Sequence, residues 1–471
     1  MLFACAIIAL IIVLFSHWVY RWRNPKCSGA LPPGSMGLPI IGETIQYFTP
    51  YAKDDVPQFL QKRVSRYGPI FRTSLVGQPV IVSTDPEVNY RVFQQEGNAF
   101  QCSYTESVFR IIGKQSLVVH HGEFHKYLKN LILKLVSPEA LREKLIYEMD
   151  GNTQKCLSSW SKLGKIDAKD GTAELVFKLA AKKILDYEES KAQKKLRDSY
   201  KAFMDGFISF PLNIPGTAFH ACLQGRKKAM KVIKNTFEMR RSCNDATKVF
   251  VDHLLKEVEK EDTFLNEEIA MDLVFLLLFA SHETTSTAMT LAMRFLNDHP
   301  AVLAELKREH ENILKMRETE DSGVSWKEYK SMIFTHMVIN ETVRLANIAP
   351  GIFRKVVKEV EIKGYTFPAG WTLMVCPSSV HLDPHRYNDP LEFNPWRWEG
   401  QELHAGSKSF MAFGGGTRLC VGADFAKLQM AIFLHYLVTK YTWTVIHGGE
   451  TIRKPGLIFP SGLHIEISEN E

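Results

Sequence analysis

From Met1 to Tyr20 the chain carries no formally charged side chain, and residues 2–15 read LFACAIIALIIVLF. A segment this apolar can satisfy its peptide groups away from water only by bonding them internally, and about 20 residues of helix rise roughly 30 Å, the depth of a bilayer's hydrocarbon. Residues 1–20 are therefore expected to form a transmembrane anchor. Arg21 and Arg23 follow at once, with Trp18, Tyr20 and Trp22 placed for the interface, so the positive-inside rule puts everything after them in the cytoplasm. A cleaved signal peptide is the competing reading. Such a leader begins with positive charge and ends at small residues, and neither feature is present.

Residues 21–40 are basic and then proline-rich, with Leu31-Pro32-Pro33-Gly34 and Gly37-Leu38-Pro39, and read as a stiff hinge. Residues 41–471 contain no repeat or low-complexity linker and read as one catalytic domain. With 45% hydrophobic and 23% charged residues, a large core can be buried. The net charge of +6 comes from 58 basic and 52 acidic residues, with no basic tail and no interleaved arginine and aromatic pattern, so nucleic-acid binding is not expected. Helical patterning dominates, notably over 266–297 and 328–346. FRTSLVGQPVIVSTD at 71–85 predicts a β-hairpin turning at Gly-Gln-Pro, and short strand-like runs lie at 360–376 and 455–467. The fold class is mainly α with minor β: one large helical domain with a small β-sheet subdomain, preceded by a transmembrane helix. The lysine-rich part 182–195 reads as a solvated helix face.

Cys5, Cys27, Cys102, Cys156, Cys222, Cys243, Cys376 and Cys420 show no paired or zinc-type spacing, as expected in a reducing compartment. Only Cys420 has an informative neighbourhood. Residues 410–424 read FMAFGGGTRLCVGAD, where Gly414 to Gly416 permit a tight backbone path along which a flat group could approach. The apolar run FAKLQMAIFLHYLV after Gly422 places Cys420 near a helix N-terminus, whose N–H groups and dipole stabilise a thiolate. A lone thiolate suits a nucleophile or a single axial bond to haem iron better than a closed zinc site. Arg418 could then reach a haem propionate and Phe413 could cover the ring. A glycine-rich loop with a core cysteine is the plain alternative.

Phe413, Gly416, Arg418, Cys420 and Gly422 match the spacing F-x-x-G-x-R-x-C-x-G, which resembles the haem-binding signature of the cytochrome P-450 superfamily. Three further motifs agree. Glu341 and Arg344 in INETVRL lie three apart on a predicted helix and can pair. With FNPWRW downstream they resemble the family's E-x-x-R helix and its later arginine, which implies a buried ionic lock of Glu341, Arg344 and Arg397. In DLVFLLLFASHETTSTAMTLAMRFL an apolar helix abruptly presents polar groups. Its Ala-Ser-x-Glu-Thr-Thr resembles the family's oxygen-activating helix, with Ser281 in place of the usual glycine. The resemblance implies that Thr284 orders hydrogen bonds at the reacting oxygen and Glu283 relays protons, whereas a threonine bonding back to its own helix is the alternative. His282 is expected to be packed or exposed and not a ligand. HGEFHKYLKN resembles the family helix that contacts the propionates, with His125 and Lys129 at those positions, and Arg354 is a further propionate contact by resemblance.

The implied cofactor is haem b, and the implied reaction is hydroxylation with molecular oxygen. No dinucleotide or flavin motif is evident, so the electrons are expected from a separate reductase; the resemblance implies an NADPH-dependent flavoprotein on the same endoplasmic reticulum membrane, docking on a basic surface near the cysteine loop. LPPGSMGLPIIGET and FNPWRW are similar to a plant clan that oxidises brassinosteroids, sterols and tetracyclic triterpenoids. RWRNPKC, SFPLNIPGTAFHACLQGR and LANIAPGIFRK are similar to its sterol and cucurbitane oxidases, some of which cleave the sterol side chain toward pregnenolone. An apolar sterol or triterpenoid substrate is implied, entering near FMDGFISFPLNIPGTAF at the membrane. Phe109, Ala280, Ile352 and Phe459 are the pocket residues that family topology suggests. The other classes in view are a haem-thiolate enzyme that rearranges hydroperoxides without a reductase, and a tethered sterol-binding protein.

Overall fold

The computed structural model describes residues 2–51, 56–188, 196–207, 209–242, 249–317, 322–401, 406–454 and 456–470. Cys243 and the 189–195 part of the lysine-rich run lie outside the described residues, as does Ile208 in the aromatic and proline segment. The helix Leu2–Arg23 runs three residues past the expected anchor and stands exposed along its length. It is long and apolar enough to cross a membrane. The helix Glu267–Asp298 passes the same test of length and composition, but more than half of its apolar window is buried inside the protein.

The segment expected to be a hinge is docked onto the domain. Trp22 packs against a core cluster containing Met36 and donates its indole N–H to the Met36 carbonyl at 3.3 Å. Pro33 O accepts from Arg72 N, and Thr366 N donates to Ala30 O. Burial of one ring and a few backbone bonds therefore fix how the anchor leaves the body.

The hairpin forms as expected, pairing Ile70–Leu75 with Gln78–Ser83, but its turn is Val76-Gly77. Both of these residues have positive φ, the geometry of a two-residue turn that matches strand twist. Pro79, expected in the turn, sits in the strand opposite Ser74, one residue before the parallel partner Thr372–Val375 begins to pair at Val80. Its missing N–H therefore costs no ladder bond. The five-stranded sheet runs Ile70–Leu75, Gln78–Ser83, Thr372–Val375, Ile352–Val356, Phe100–Cys102.

Helix Glu267–Asp298 lies within two residues of expectation and starts where Asn266 Oδ1 accepts from Ile269 N at 2.9 Å. The helix expected over 328–346 is instead two pieces, Trp326–Ser331 and Ile333–Ala346. The break arises from outside the segment: the Glu309 carboxylate accepts from Phe334 N, Thr335 N and Thr335 Oγ1, capping a new helix start. Of the two placements left open for His282, packed or exposed, the structure shows the first: it packs edge-on against Phe177 and Tyr200 and bonds the Leu278 carbonyl.

Two core histidines make the fold acid-sensitive. His381 faces Asn347 Oδ1 with Nδ1 and accepts from Met411 N at Nε2, so its neutral form is the bonded one. His435 Nδ1 lies 3.0 Å from His310 Nδ1, a contact two cations could not keep. Burial, with Arg344 beside His381 and Arg317 beside His435, depresses both to about 3. Below the ordinary value the unfolded chain takes up protons that the folded chain refuses, so stability is complete above about pH 6.5 and falls toward pH 3, by roughly 2 kcal/mol per histidine at about pH 5. The thermal midpoint should be flat above neutrality and drop between pH 6.5 and 5. A flat profile over that interval would contradict the neutral assignment.

Candidate functional site

The cysteine loop closes on itself through Cys420 N to Phe413 O at 3.0 Å, with a short 3-10 turn at Gly416–Arg418. Gly414 and Gly415 line the cavity, as a close approach to the loop needs, and two of the three glycines meet a packing demand as well. A Cβ on Gly416 would come within 2.1 Å of the Phe93 carbonyl, and one on Gly415 within 2.7 Å of the Phe93 ring. Close packing of the loop on the helix Pro86–Gln94 is what demands them. Space beside the thiol comes from Gly422, where a Cβ would meet nothing.

Cys420 precedes the helix Ala423–Lys440, as the sequence suggests. Burial nonetheless pushes its thiol up, against the Gly422 N–H and Lys129, which favour the thiolate. The helix start alone does not secure the anion, and a positively charged group bonded to sulfur would.

The accessible surface of Cys420 opens into a cavity of about 480 Å³ between this loop and the helix Glu267–Asp298. His125 and Lys129, four apart on the helix Gly122–Val136, share one face and line it together with Arg354, Arg418, Phe413 and Gly422. Lys129 Nζ donates to Thr417 O at 2.9 Å. Burial, then Arg418 and Lys129, lowers His125 to about 4, so it is a neutral donor here. Of the four pocket residues suggested, Ala280 and Ile352 line the cavity. Phe109 packs in the neighbouring helical core and Phe459 against the main core, and neither belongs to the cavity lining.

Thr284 and Ser281 reach the cavity from helix Glu267–Asp298, which runs unbroken past them. The Thr284 hydroxyl donates to Ala280 O at 2.8 Å, so the local back-bond is present, and the same side chain faces the cavity. Glu283 points elsewhere. Its carboxylate accepts from Lys169 Nζ at 3.0 Å. Burial by itself pushes the Glu283 carboxyl's pKa up, but Lys169, His282 and Thr287 outweigh that and hold it below its ordinary range.

The ionic lock is assembled in full. Arg344 donates from Nε and Nη2 to the two Glu341 oxygens, each at 2.8 Å, and Arg397 Nε donates to Oε1 at 2.9 Å. Trp398 Nε1 and Asn394 N complete the carboxylate's partners. Spacing could not have shown Glu96, which holds two of the cavity's arginines from behind. Its Oε2 pairs with Arg354 Nε at 2.7 Å, and its Oε1 accepts from Arg418 Nε at 3.1 Å and from Cys102 N.

These residues fit haem. Lys129, Arg354 and Arg418 bring three cationic side chains to the cavity lining, and Glu96, which pairs with both arginines, balances only part of that charge, a surplus suited to a dianionic ligand edge. Among the described residues no three His, Cys, Asp or Glu side chains converge as a metal site, so one thiolate plus a macrocycle that brings its own nitrogens is the arrangement this donor set suits.

The cytochrome P-450 family profile matches residues 32–463. Cytochrome P-450 87A3 of Oryza sativa subsp. japonica is 51% identical over 96% of this chain and 88% of its own length. Cucurbitadienol 11-hydroxylase of Siraitia grosvenorii is 40% identical, covering 98% of each chain. Cholesterol 22-monohydroxylase CYP90B52 of Paris polyphylla is 38% identical over 99% of this chain and 98% of its own. Among solved structures, retinoic acid bound cyanobacterial CYP120A1 superposes with a TM-score of 0.85 at 26% identity, covering 94% of this chain and 100% of that one.

Proposed function

The chain belongs to the cytochrome P-450 family, the haem-thiolate monooxygenases, and from that premise we propose that it hydroxylates a tetracyclic triterpenoid or sterol at the endoplasmic reticulum membrane. The observation that carries this reading is one cavity holding Cys420 and Thr284 among mostly apolar walls, which include Leu117, Val118, Leu276, Leu277, Ala280 and Ile352. Such walls take up an apolar polycycle by removing its surface from water and offer few polar partners to a charged substrate. The hydroxylases of cucurbitadienol and cholesterol named above support this substrate class. Exposed Phe210, Leu212 and Ile214 after the helix Leu196–Phe207 support entry from the membrane, and the helix Leu2–Arg23 supports the anchor with the catalytic domain in the cytoplasm.

Bound haem, with its iron on the Cys420 thiolate, supplies the activation of molecular oxygen. Lys129, Arg354, Arg418 and the neutral His125 would hold its carboxylates, and Phe413 would lie by the ring. Thr284 Oγ1 faces the cavity while its proton is held on the Ala280 carbonyl, and rotation about the C–O bond would turn that proton toward the cavity. Behind it the Lys169–Glu283 pair holds a second, at the back of the same helix. We assign proton delivery to this set, with Thr284 as its last member. A separate NADPH-dependent flavoprotein reductase supplies the electrons, docking on the basic surface by the cysteine loop.

The test is reconstitution of the full chain with such a reductase, NADPH, and either cucurbitadienol or cholesterol, with products read by mass. One added oxygen supports the hydroxylase. Pregnenolone would mark successive side-chain oxidations, and no product from a panel of sterols and triterpenoids overturns the substrate class. In the same assay Thr284→Ala should lower product formed per NADPH consumed by roughly ten- to hundredfold, with Thr284→Ser largely restoring it. Equal coupling in all three proteins would remove Thr284 from the proton path.

A further inference from the structure

Residues 113–121 cross the cavity between the helices Glu106–Ile112 and Gly122–Val136, and carry Leu117 and Val118 as part of its wall. One end of this strap is gripped by Arg418, which donates to His120 O at 2.6 Å and to Leu117 O at 3.4 Å. The other end is gripped by Asp272, a buried carboxylate two turns before Ala280 on the long helix. Asp272 Oδ2 accepts from Gln115 N at 3.1 Å. Asp272 Oδ1 accepts from Arg226 Nη2 at 2.5 Å, from the helix Ala218–Arg241. Arg226 is held in turn over the Phe275 ring at 4.7 Å. The approach is so close that a Cβ on Gly113 would lie 2.2 Å from Asp272 Oδ2.

We propose that Asp272 is a specificity-setting positioning residue: through Gln115 and Arg226 it clamps the strap 113–121 and so fixes the wall formed by Leu117 and Val118. The reasoning is physical. A buried carboxylate is retained only where its lone pairs are used, and here they are used on a strap amide and on a second helix. Asp272 does not line the cavity, so its influence on a substrate passes through the strap. Two of the cavity's boundaries, the strap and the long helix, are thereby tied at one point, and loss of the charge frees the strap while leaving the haem loop intact. The inference rests on the proposed reading of the cavity as the substrate site, but its primary test needs no substrate.

That test is amide hydrogen exchange on the haem-loaded full chain. In Asp272→Asn, exchange over 113–121 should speed up by about tenfold or more, with a smaller rise around Arg226 on the helix Ala218–Arg241, while the remainder of the chain is unchanged. Carbon monoxide rebinding after photolysis should become faster as the wall loosens. Arg226→Lys, which keeps the charge, should stay nearer the parent protein, and it serves as the second variant should Asp272→Asn accumulate poorly. With cholesterol or cucurbitadienol as probe, KM should rise while kcat changes less than about twofold, the pattern of lost ground-state positioning. Unchanged exchange over 113–121, or acceleration spread evenly over the chain, overturns the clamp. Failure of both probes to react, with the exchange result intact, would count against the substrate class alone.

Discussion

Replacing Cys420 by serine is expected to abolish the red-shifted Soret band that the reduced, carbon monoxide-treated protein shows when its haem iron is bound to thiolate. Cys420 is the cysteine whose accessible surface opens into the cavity beside Thr284, Phe413 and the cationic edge, and a serine hydroxyl is not deprotonated there to replace it. The other cysteine lining that cavity, Cys102, is buried in the strand Phe100–Cys102, away from the Phe413-to-Gly422 loop. The monooxygenase activity should fall to background with the band. A variant that kept the thiolate-type spectrum would move the iron ligand to another residue. A histidine-type spectrum in the parent protein would remove the central assignment.

Glu341→Gln is expected to leave little or no haem-loaded protein. Glu341 and Arg344 are both 0% exposed, and Arg397 is nearly enclosed beside them. Glutamine keeps the size but cannot balance two guanidinium groups, and removing one member of a buried pair typically costs about 3–5 kcal/mol. Against a total of roughly 5–15 kcal/mol for a folded domain, that is a large share. The geometry adds to it: Arg344 Nη1 also donates to His381 O and Pro390 O, so the segment leading to the cysteine loop is pinned through the same arginine. Thermal unfolding and the haem content of purified protein read the effect. Arg397→Gln, which removes the more accessible partner, should be milder. A Glu341→Gln protein of normal yield and midpoint would show that the lock contributes little to stability.

Both predictions concern residues that motif spacing made visible. Glu341 and Arg344 sit three apart on one helix face, and Cys420 stands in a run whose fixed positions are all local. The same holds for the anchor, whose apolar run leaves its backbone only one stable conformation in a membrane, and for the helix Glu267–Asp298, predicted to within two residues. Thr284 was legible as a polar residue in an apolar helix. Its double role, bonded back to Ala280 and facing the cavity, needed the structure.

What periodicity could not supply is the identity of distant partners. Glu283 reads as a group beside Thr284, yet one residue along a helix turns the side chain by about 100°, and that rotation delivers it to Lys169 on another helix. Glu96 lies 322 residues from Arg418 and Asp272 lies 157 from Gln115, separations on which local patterning carries no information. Phe109 and Phe459 are aromatic positions whose burial was foreseeable, but which side of the packed helices received them was not. The amino-acid sequence by itself determined the apolar N-terminal helix, the cysteine loop, the helix Glu267–Asp298 and the lock, because each is a short-range pattern with one stable outcome. Only the tertiary structure decided which charges face one another across the cavity and which strap walls it, because those choices are made by packing between segments far apart in the chain.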